Sequence, residues 1–304
     1  MRTFKQQVEG FLDNADVMEK SKRLYRTALN KFQRWVVEEG LNIHALKRKD
    51  ILVYKLYLEK SNIAGATIEL YLLVLRTFYH YLMDCGESSN IAKDIRFKHK
   101  RNTYTKEYLT DDECSRLLES VDQSTEAGQR NFAIIYLMMS TGLRCIEVSR
   151  LLVGDVFTSA GHHYLMIQRK REMRKDTKFG IPVEVLKPIR VYMKNRPGAT
   201  DDEPLFASRE KHGIRPMSPQ RIGEVVKEYL VKSGVYSKTK TTHSLRHTAA
   251  VRALKDHVSI YDVKCMLGHS EVKTTERYLA SIEAEVTERN PAIRPFSLNA
   301  LKLK

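Results

Sequence analysis

Between Ile91 and Lys106 the apolar periodicity that organises both flanks disappears, and Lys93, Arg96, Lys98, Lys100, Arg101 and Lys106 gather there against a single acid, Asp94. A stretch with so little to bury cannot lie inside a core, so it divides the chain into two separately folding parts. The expected division is a helical domain over 1–92, a basic linker over 93–106 and a second domain over 107–304. The length of 304 residues allows two domains, and 42% apolar residues let each bury a core.

The first part reads as helices alone. Tyr25, Leu29, Phe32 and Val36 recur at steps of 4, 3 and 4, the stripe of a helix over 22–39 that Gly40 stops. A second helix is expected over 49–60. A third starts near Ala66 and sets Ile68, Leu72, Leu75, Tyr79 and Leu82 on one face before Gly86. Three such helices make a small bundle.

The second part is mixed. Thr110 and Glu113 have capping-box spacing ahead of Leu117 and Leu118. A helix over 131–140 breaks at Thr141-Gly142-Leu143-Arg144, and another starts near Ile146. Two short strands, 164–168 and 179–183, flank a turn from Arg169 to Lys178. Ser218-Pro219 opens a further helix, and helical patterns run from Ser244 to about Glu285. The tail, about 286–304, carries Pro291 and Pro295 before Phe296, Leu298, Leu301 and Leu303, which calls for docking on a neighbouring subunit or on its own domain. The expected fold class is mainly α with a small β-sheet.

Charge narrows the partner. The formal net charge is +15, with 19 basic and 12 acidic residues over 1–103, so both parts are positive. Duplex DNA suits such a chain, because its phosphates reward many Lys and Arg contacts through counterion release. Two positive domains on a positive strap can close around it. The longest apolar run, Phe132 to Met139, falls far short of the ~20 residues that span a bilayer, and no signal peptide opens the chain. A soluble cytoplasmic protein with no membrane partner is expected. Cys85, Cys114, Cys145 and Cys265 lack CxxC spacing and read as buried reduced thiols. His243 and His247 stand at i and i+4 without a third ligand, so no metal site is expected.

The chemistry-bearing residues lie in four pieces. His243 and Arg246 sit one turn apart at a helix start, where both can address one anion. Leu267-Gly268-His269 ends a short helix, and Arg277-Tyr278 follows nine residues later. Arg144 stands just after a glycine break, with Glu147 at i+3 to brace it.

These pieces, TGLRCIEVSRL, HSLRH, LGHSEVKTTERY and the basic turn at 169–178, together resemble the tyrosine recombinase (phage integrase, Xer-type) family over nearly the whole chain. Any one is weak, but four in order, with separations of 23 from Arg246 to His269 and nine to Tyr278, are specific. The resemblance implies an N-terminal SAM-like core-binding domain and an α/β-minor catalytic domain. It leaves no room for an arm-binding domain in front. It also implies a site-specific DNA recombinase with Tyr278 as nucleophile, Arg144 and Arg246 on the phosphate, Lys170 as the acid for the leaving oxygen, and His243 and His269 assisting. Lys175 and Lys178 share the turn with Lys170 and stay as alternatives. The family usually has glycine on both sides of this lysine, whereas Arg169 and Arg171 stand here.

Residue chemistry agrees with those roles. Cutting a phosphodiester without water needs a protein nucleophile that stores the ester. A phenol with pKa about 10 needs positive charge nearby to attack, and planar guanidinium forks suit the non-bridging oxygens better than lysine. By the same resemblance four protomers form a tetramer on two DNA sites, pass through a Holliday junction, need no cofactor and work near the nucleoid, with accessory DNA-bending or directionality proteins allowed. Two alternatives stay open at this point: a type IB topoisomerase-like enzyme that relaxes DNA, and a non-catalytic DNA-binding protein of the same fold.

Overall fold

The computed structural model describes residues 2–97, 107–170, 172–210 and 213–289. The chain separates into two compact units, Met1–Thr103 and Tyr104–Lys304. Lys98 to Lys106 of the basic linker, and the tail residues from Pro291 to Leu303, lie outside the described residues.

The first unit holds four helices, α1 (Phe4–Asn14), α2 (Glu19–Glu38), α3 (Arg48–Lys60) and α4 (Gly65–Asp84), one more than the periodicity predicts. The extra helix starts at a capping box: Gln6 N–H donates to Thr3 Oγ1 at 3.3 Å, and Thr3 N–H donates to Gln6 Oε1 at 2.9 Å. It buries Phe4, Val8, Phe11 and Leu12. The stripes of α2 and α4 meet in the core, where Leu29, Phe32 and Val36 are buried together with Ile68, Leu72, Leu75, Tyr79 and Leu82. Phe32 meets the Tyr54 ring edge-on at 4.9 Å. The first residues of the basic stretch belong to this unit. Ala92 and Ile95 are buried in its core, and Arg76 Nη1 donates to the Ile95 carbonyl at 2.7 Å.

The second unit runs α5 (Asp111–Glu119), α6 (Glu126–Thr141), α7 (Cys145–Ser149), β1 (Val156–Ser159), β2 (His162–Ile167), β3 (Thr177–Ile181), α8 (Val183–Met193), β4 (Ala207–Glu210), β5 (Gly213–Pro216), α9 (Pro219–Lys232), α10 (Thr242–Lys255), α11 (Ile260–Leu267) and α12 (Val272–Arg289). The caps expected at Thr110 and Ser218 form, with Glu113 N–H on Thr110 Oγ1 and Arg221 N–H on Ser218 Oγ. Helices α6, α8, α9 and α10 enclose a core that includes Ile134, Leu137, Ile189, Val225 and Leu245.

Strand content exceeds the expectation of two. The antiparallel sheet β1-β2-β3 has three strands, and β4-β5 forms a separate hairpin. Leu165 of β2 stands between Val156 and Phe179 and is fully buried, as is Ile167. The last strand stops at Ile181 because Pro182, which has no N–H for the ladder, caps α8. Lys178 therefore sits on β3 rather than in the turn. The thiols also depart from expectation: all four are free, but only Cys114 is buried, Cys145 is half-buried, and Cys85 and Cys265 are exposed. No described helix is long and apolar enough to cross a membrane.

Candidate active site

Helix α6 ends at Gly142, which is left-handed at φ +67°. A Cβ there would stand 2.6 Å from Leu267 Cδ2 and 3.5 Å from Arg246 Cγ, so glycine is what lets three distant segments close together. Two residues on, Arg144 is the N-cap of α7. Its backbone N–H donates to Glu147 Oε2 at 2.9 Å and its Nη1 to Oε1 at 3.0 Å. The Glu147 side chain is wholly buried, whereas Arg144 keeps 24% of its side chain exposed. The carboxylate thus holds the guanidinium by its inner edge and leaves the outer edge accessible.

Arg246 lies in the first turns of α10 and is 2% exposed. Its Nη1 donates to the Gly142 carbonyl at 2.6 Å and its Nη2 to the Leu267 carbonyl at 2.5 Å. Arg144 Nη1 reaches the same Leu267 oxygen at 3.4 Å. Leu267 ends α11, where carbonyls carry the negative end of the helix dipole, and Gly268 closes that helix in the left-handed region. Burial, and next the charge of Arg144, pull Arg246 down to about 10, while Tyr278 and Glu147 oppose the shift.

His269 leaves this corner with its Nδ1 2.9 Å from the hydroxyl of buried Thr275. Burial, followed by the positive charges of Arg246 and Arg144 and smaller contributions from His243 and Arg169, pushes its pKa down to about 4. The ring is therefore neutral at pH 7. Tyr278, on α12, rests half-buried against Ala250, Val263 and Leu267 of its own chain. The His269 ring stacks on it at 6.1 Å between centroids, and the His247 ring stands 4.9 Å away. His247 in turn meets Tyr108 edge-on at 5.7 Å.

Arg144, Arg246, His269 and Tyr278 thus form one connected cluster. His243 occupies the exposed first turn of α10 while Arg246 turns inward. Lys170 is exposed in the β2–β3 turn. The alternatives in that region are engaged elsewhere. Lys175 Nζ donates to Asp155 Oδ2 at 2.5 Å and to the Arg150 carbonyl at 3.0 Å, and Lys178 Nζ sits 3.8 Å from the Tyr164 ring centroid.

Sequence reasoning passed over Arg169 as part of the cluster. It is buried, and its Nη2 donates to the carbonyls of Cys265 and Met266 at 3.3 and 3.1 Å. Thr275, the partner of His269, was passed over as well. An arginine in a basic turn reads as solvated, and nothing in the string around Arg169 marks it as buried. Chemically, the cluster offers two guanidinium forks, a neutral imidazole and a phenol, a set fitted to hold an oxyanion and favour phenolate character beside it.

The phage integrase family model matches residues 107–285, and the model of the phage integrase N-terminal SAM-like domain matches residues 9–86. Similar proteins include tyrosine recombinase XerD of Listeria innocua, 27% identical over 77% of this chain and 77% of that one. Tyrosine recombinase XerA of Pyrococcus furiosus is 29% identical over 89% of this chain and 88% of its own. Among solved structures, the XerH site-specific recombinase in a post-cleavage complex with its palindromic difH substrate superposes with a TM-score of 0.72, at 18% identity, over 94% of this chain and 84% of that one. A lambda integrase dimer bound to a core site gives 0.65, at 16% identity, over 90% and 93%. These superpositions establish the fold.

Proposed function

This chain belongs to the phage integrase family and is a tyrosine-type site-specific recombinase, and from that premise we propose that it cuts and rejoins duplex DNA through a covalent phosphotyrosine formed by Tyr278. The observation that carries the assignment of Tyr278 is its place against Leu267, whose carbonyl accepts from both Arg246 and Arg144, with the His269 ring stacked on it at 6.1 Å between centroids. A phenol placed in a corner lined by two guanidiniums can attack as an incipient phenolate, because the charge it develops is matched there.

In this reading the Tyr278 oxygen attacks the phosphorus and the bond to the 5′-oxygen breaks, which leaves a 3′-phosphotyrosyl ester and a free 5′-hydroxyl. Arg144 and Arg246 hold the non-bridging oxygens of the five-coordinate transition state. Lys170 gives its proton to the departing 5′-oxygen, and His243 assists proton transfer at the phenol. Neutral His269, oriented by Thr275, hydrogen-bonds the phosphate. The covalent ester conserves the energy of the broken bond, so resealing needs no nucleotide hydrolysis.

The same reading extends to assembly. Four protomers on two DNA sites exchange one pair of strands, form a Holliday junction and then exchange the second pair, in the cytoplasm at the nucleoid. Positive charge in both halves of the sequence supports contact with duplex DNA. Incubation with a nicked suicide duplex carrying the recombination site, mapped first by covalent adducts on genomic DNA, tests it. The expected result is a DNA adduct on the peptide containing Tyr278, and exchange between two paired sites. An adduct on another residue would overturn the assignment of Tyr278, and loss of supercoils without partner exchange would overturn the recombination reading.

A further inference from the structure

Arg169 is placed unlike a residue of a solvated turn. Its side chain is 9% exposed, and its Nη2 reaches two carbonyls at the end of α11. Its Nη1 stands 3.9 Å from Glu147 Oε2, on the same buried carboxylate that grips Arg144, and has no closer hydrogen-bond partner. Its guanidinium lies against Gly268, where an added Cβ would fall 3.0 Å from Nε and 3.1 Å from Cζ. A side chain at 268 would therefore press on this guanidinium, at a position whose positive φ already favours glycine. The backbone is held too, since Arg150 Nη1 donates to the Arg169 carbonyl at 3.3 Å. Further along the turn, Gln168 Nε2 donates to the Glu172 carbonyl at 2.9 Å, and Lys175 ties the far limb to Asp155.

Resting on the reading of Lys170 as the acid, we propose that Arg169 is a positioning residue: it rivets the β2–β3 turn to the α11 corner that carries Leu267 and His269, and so fixes the base from which Lys170 meets the departing 5′-oxygen. A lysine on an exposed turn has four rotatable side-chain bonds and a mobile backbone to restrain. Anchoring the adjacent residue removes the backbone share of that freedom, and misplacement of a proton donor by about 1 Å is enough to slow transfer ~10²-fold. Lysine at position 169 keeps one charge near Glu147 but cannot bridge two carbonyls and a carboxylate at once.

The test compares single-turnover cleavage of two suicide duplexes, one natural and one with the bridging 5′-oxygen replaced by sulfur, whose departure needs no proton. Arg169→Ala and Arg169→Lys are expected to slow the natural substrate about 10- to 100-fold while leaving the sulfur substrate within about threefold of the unmodified chain. In a Lys170→Ala background, Arg169→Ala should add nothing further on the natural substrate, because both changes act on one step. Equal slowing of both substrates, additive slowing in the double variant, or no slowing at all would each overturn the proposal. Lys170→Ala alone keeps the two readings apart: if sulfur does not rescue it, the assignment of the acid fails, whereas rescue of Lys170→Ala without rescue of Arg169→Ala removes only the role given to Arg169. Circular dichroism and melting of each variant identify loss of fold, and the more conservative lysine variant then decides.

Discussion

Arg144 and Arg246, 102 positions apart in the chain, donate to one backbone oxygen, that of Leu267, at 3.4 and 2.5 Å. A single acceptor at the negative end of α11 thus sets the spacing of the two guanidiniums, and the buried Glu147 fixes the orientation of one of them. Their burial differs. Arg144→Ala and Arg246→Ala are each expected to slow cleavage by at least ~10². Both should also lower the melting temperature: Arg246→Ala strips the buried Gly142 carbonyl of its donor, a loss of about 1–3 kcal/mol, and Arg144→Ala leaves the buried Glu147 carboxylate without its 3.0 Å partner. Wild-type cleavage in either variant would remove it from the phosphate, and an unchanged melting temperature in either would contradict the packing described. Arg246→Lys should fail as alanine does, because one ammonium cannot span both carbonyls.

Tyr278→Phe removes an oxygen and leaves the ring against Ala250, Val263 and Leu267. The variant should fold and bind duplex normally, and form no covalent adduct on a suicide substrate. The ring packs on its own chain, so cleavage should occur in cis. Mixing Tyr278→Phe with Arg246→Ala protomers is expected to restore no cleavage, and recovery in the mixture would show that the phenol is shared between subunits.

Gly142→Ala places a side chain in the left-handed region, at about 1–2 kcal/mol, and drives its Cβ toward Leu267 and Arg246. Stability should fall by at least that amount in urea titration. Cleavage should fall further than the lost folded fraction explains, because Leu267 is the acceptor that spaces the two arginines. A loss of stability with undiminished cleavage in the folded fraction would separate the turn from the chemistry.

His269 titrates at about 4 in the folded chain against 6.5 as its ordinary value. Between those values the unfolded chain takes up a proton that the folded chain refuses, so stability rises with pH. The contribution is complete above about pH 6.5 and is lost as pH falls toward 4. His269→Asn should flatten the dependence of the urea midpoint on pH in that window by up to one proton. An unchanged slope, or titration of the His269 imidazole itself near 6.5 by NMR in the intact DNA-free chain, would refute the placement.

The sequence disclosed most where one segment determines its own structure. The stripe Ile68, Leu72, Leu75, Tyr79, Leu82 is buried as its spacing demands, and the caps at Thr110 and Ser218 form. Helix α1 is not among the expected helices because its periodic run is short, and its start is marked only by the capping box of Thr3 and Gln6. Strand β1 and the β4-β5 hairpin escaped notice because four-residue strands owe their existence to a partner rather than to their own pattern. The site divides in the same way. Arg144, Arg246, His269 and Tyr278 stand out by order and spacing, whereas the burial of Arg169 is created by carbonyls almost a hundred residues later. The thiols fail for a related reason: Cys85 follows the last turn of α4 and Cys265 lies on the outer side of α11, so a cysteine near an apolar run need not face inward.

Two guanidiniums, those of Arg144 and Arg169, share the one buried carboxylate of Glu147, and a third, that of Arg246, joins Arg144 at the Leu267 carbonyl. The surplus of like charge works against the fold, and the negative charge of a phosphodiester, which grows in the five-coordinate transition state, relieves it, so occupancy and sturdiness are tied together. Each bound phosphate should therefore make this chain harder to unfold.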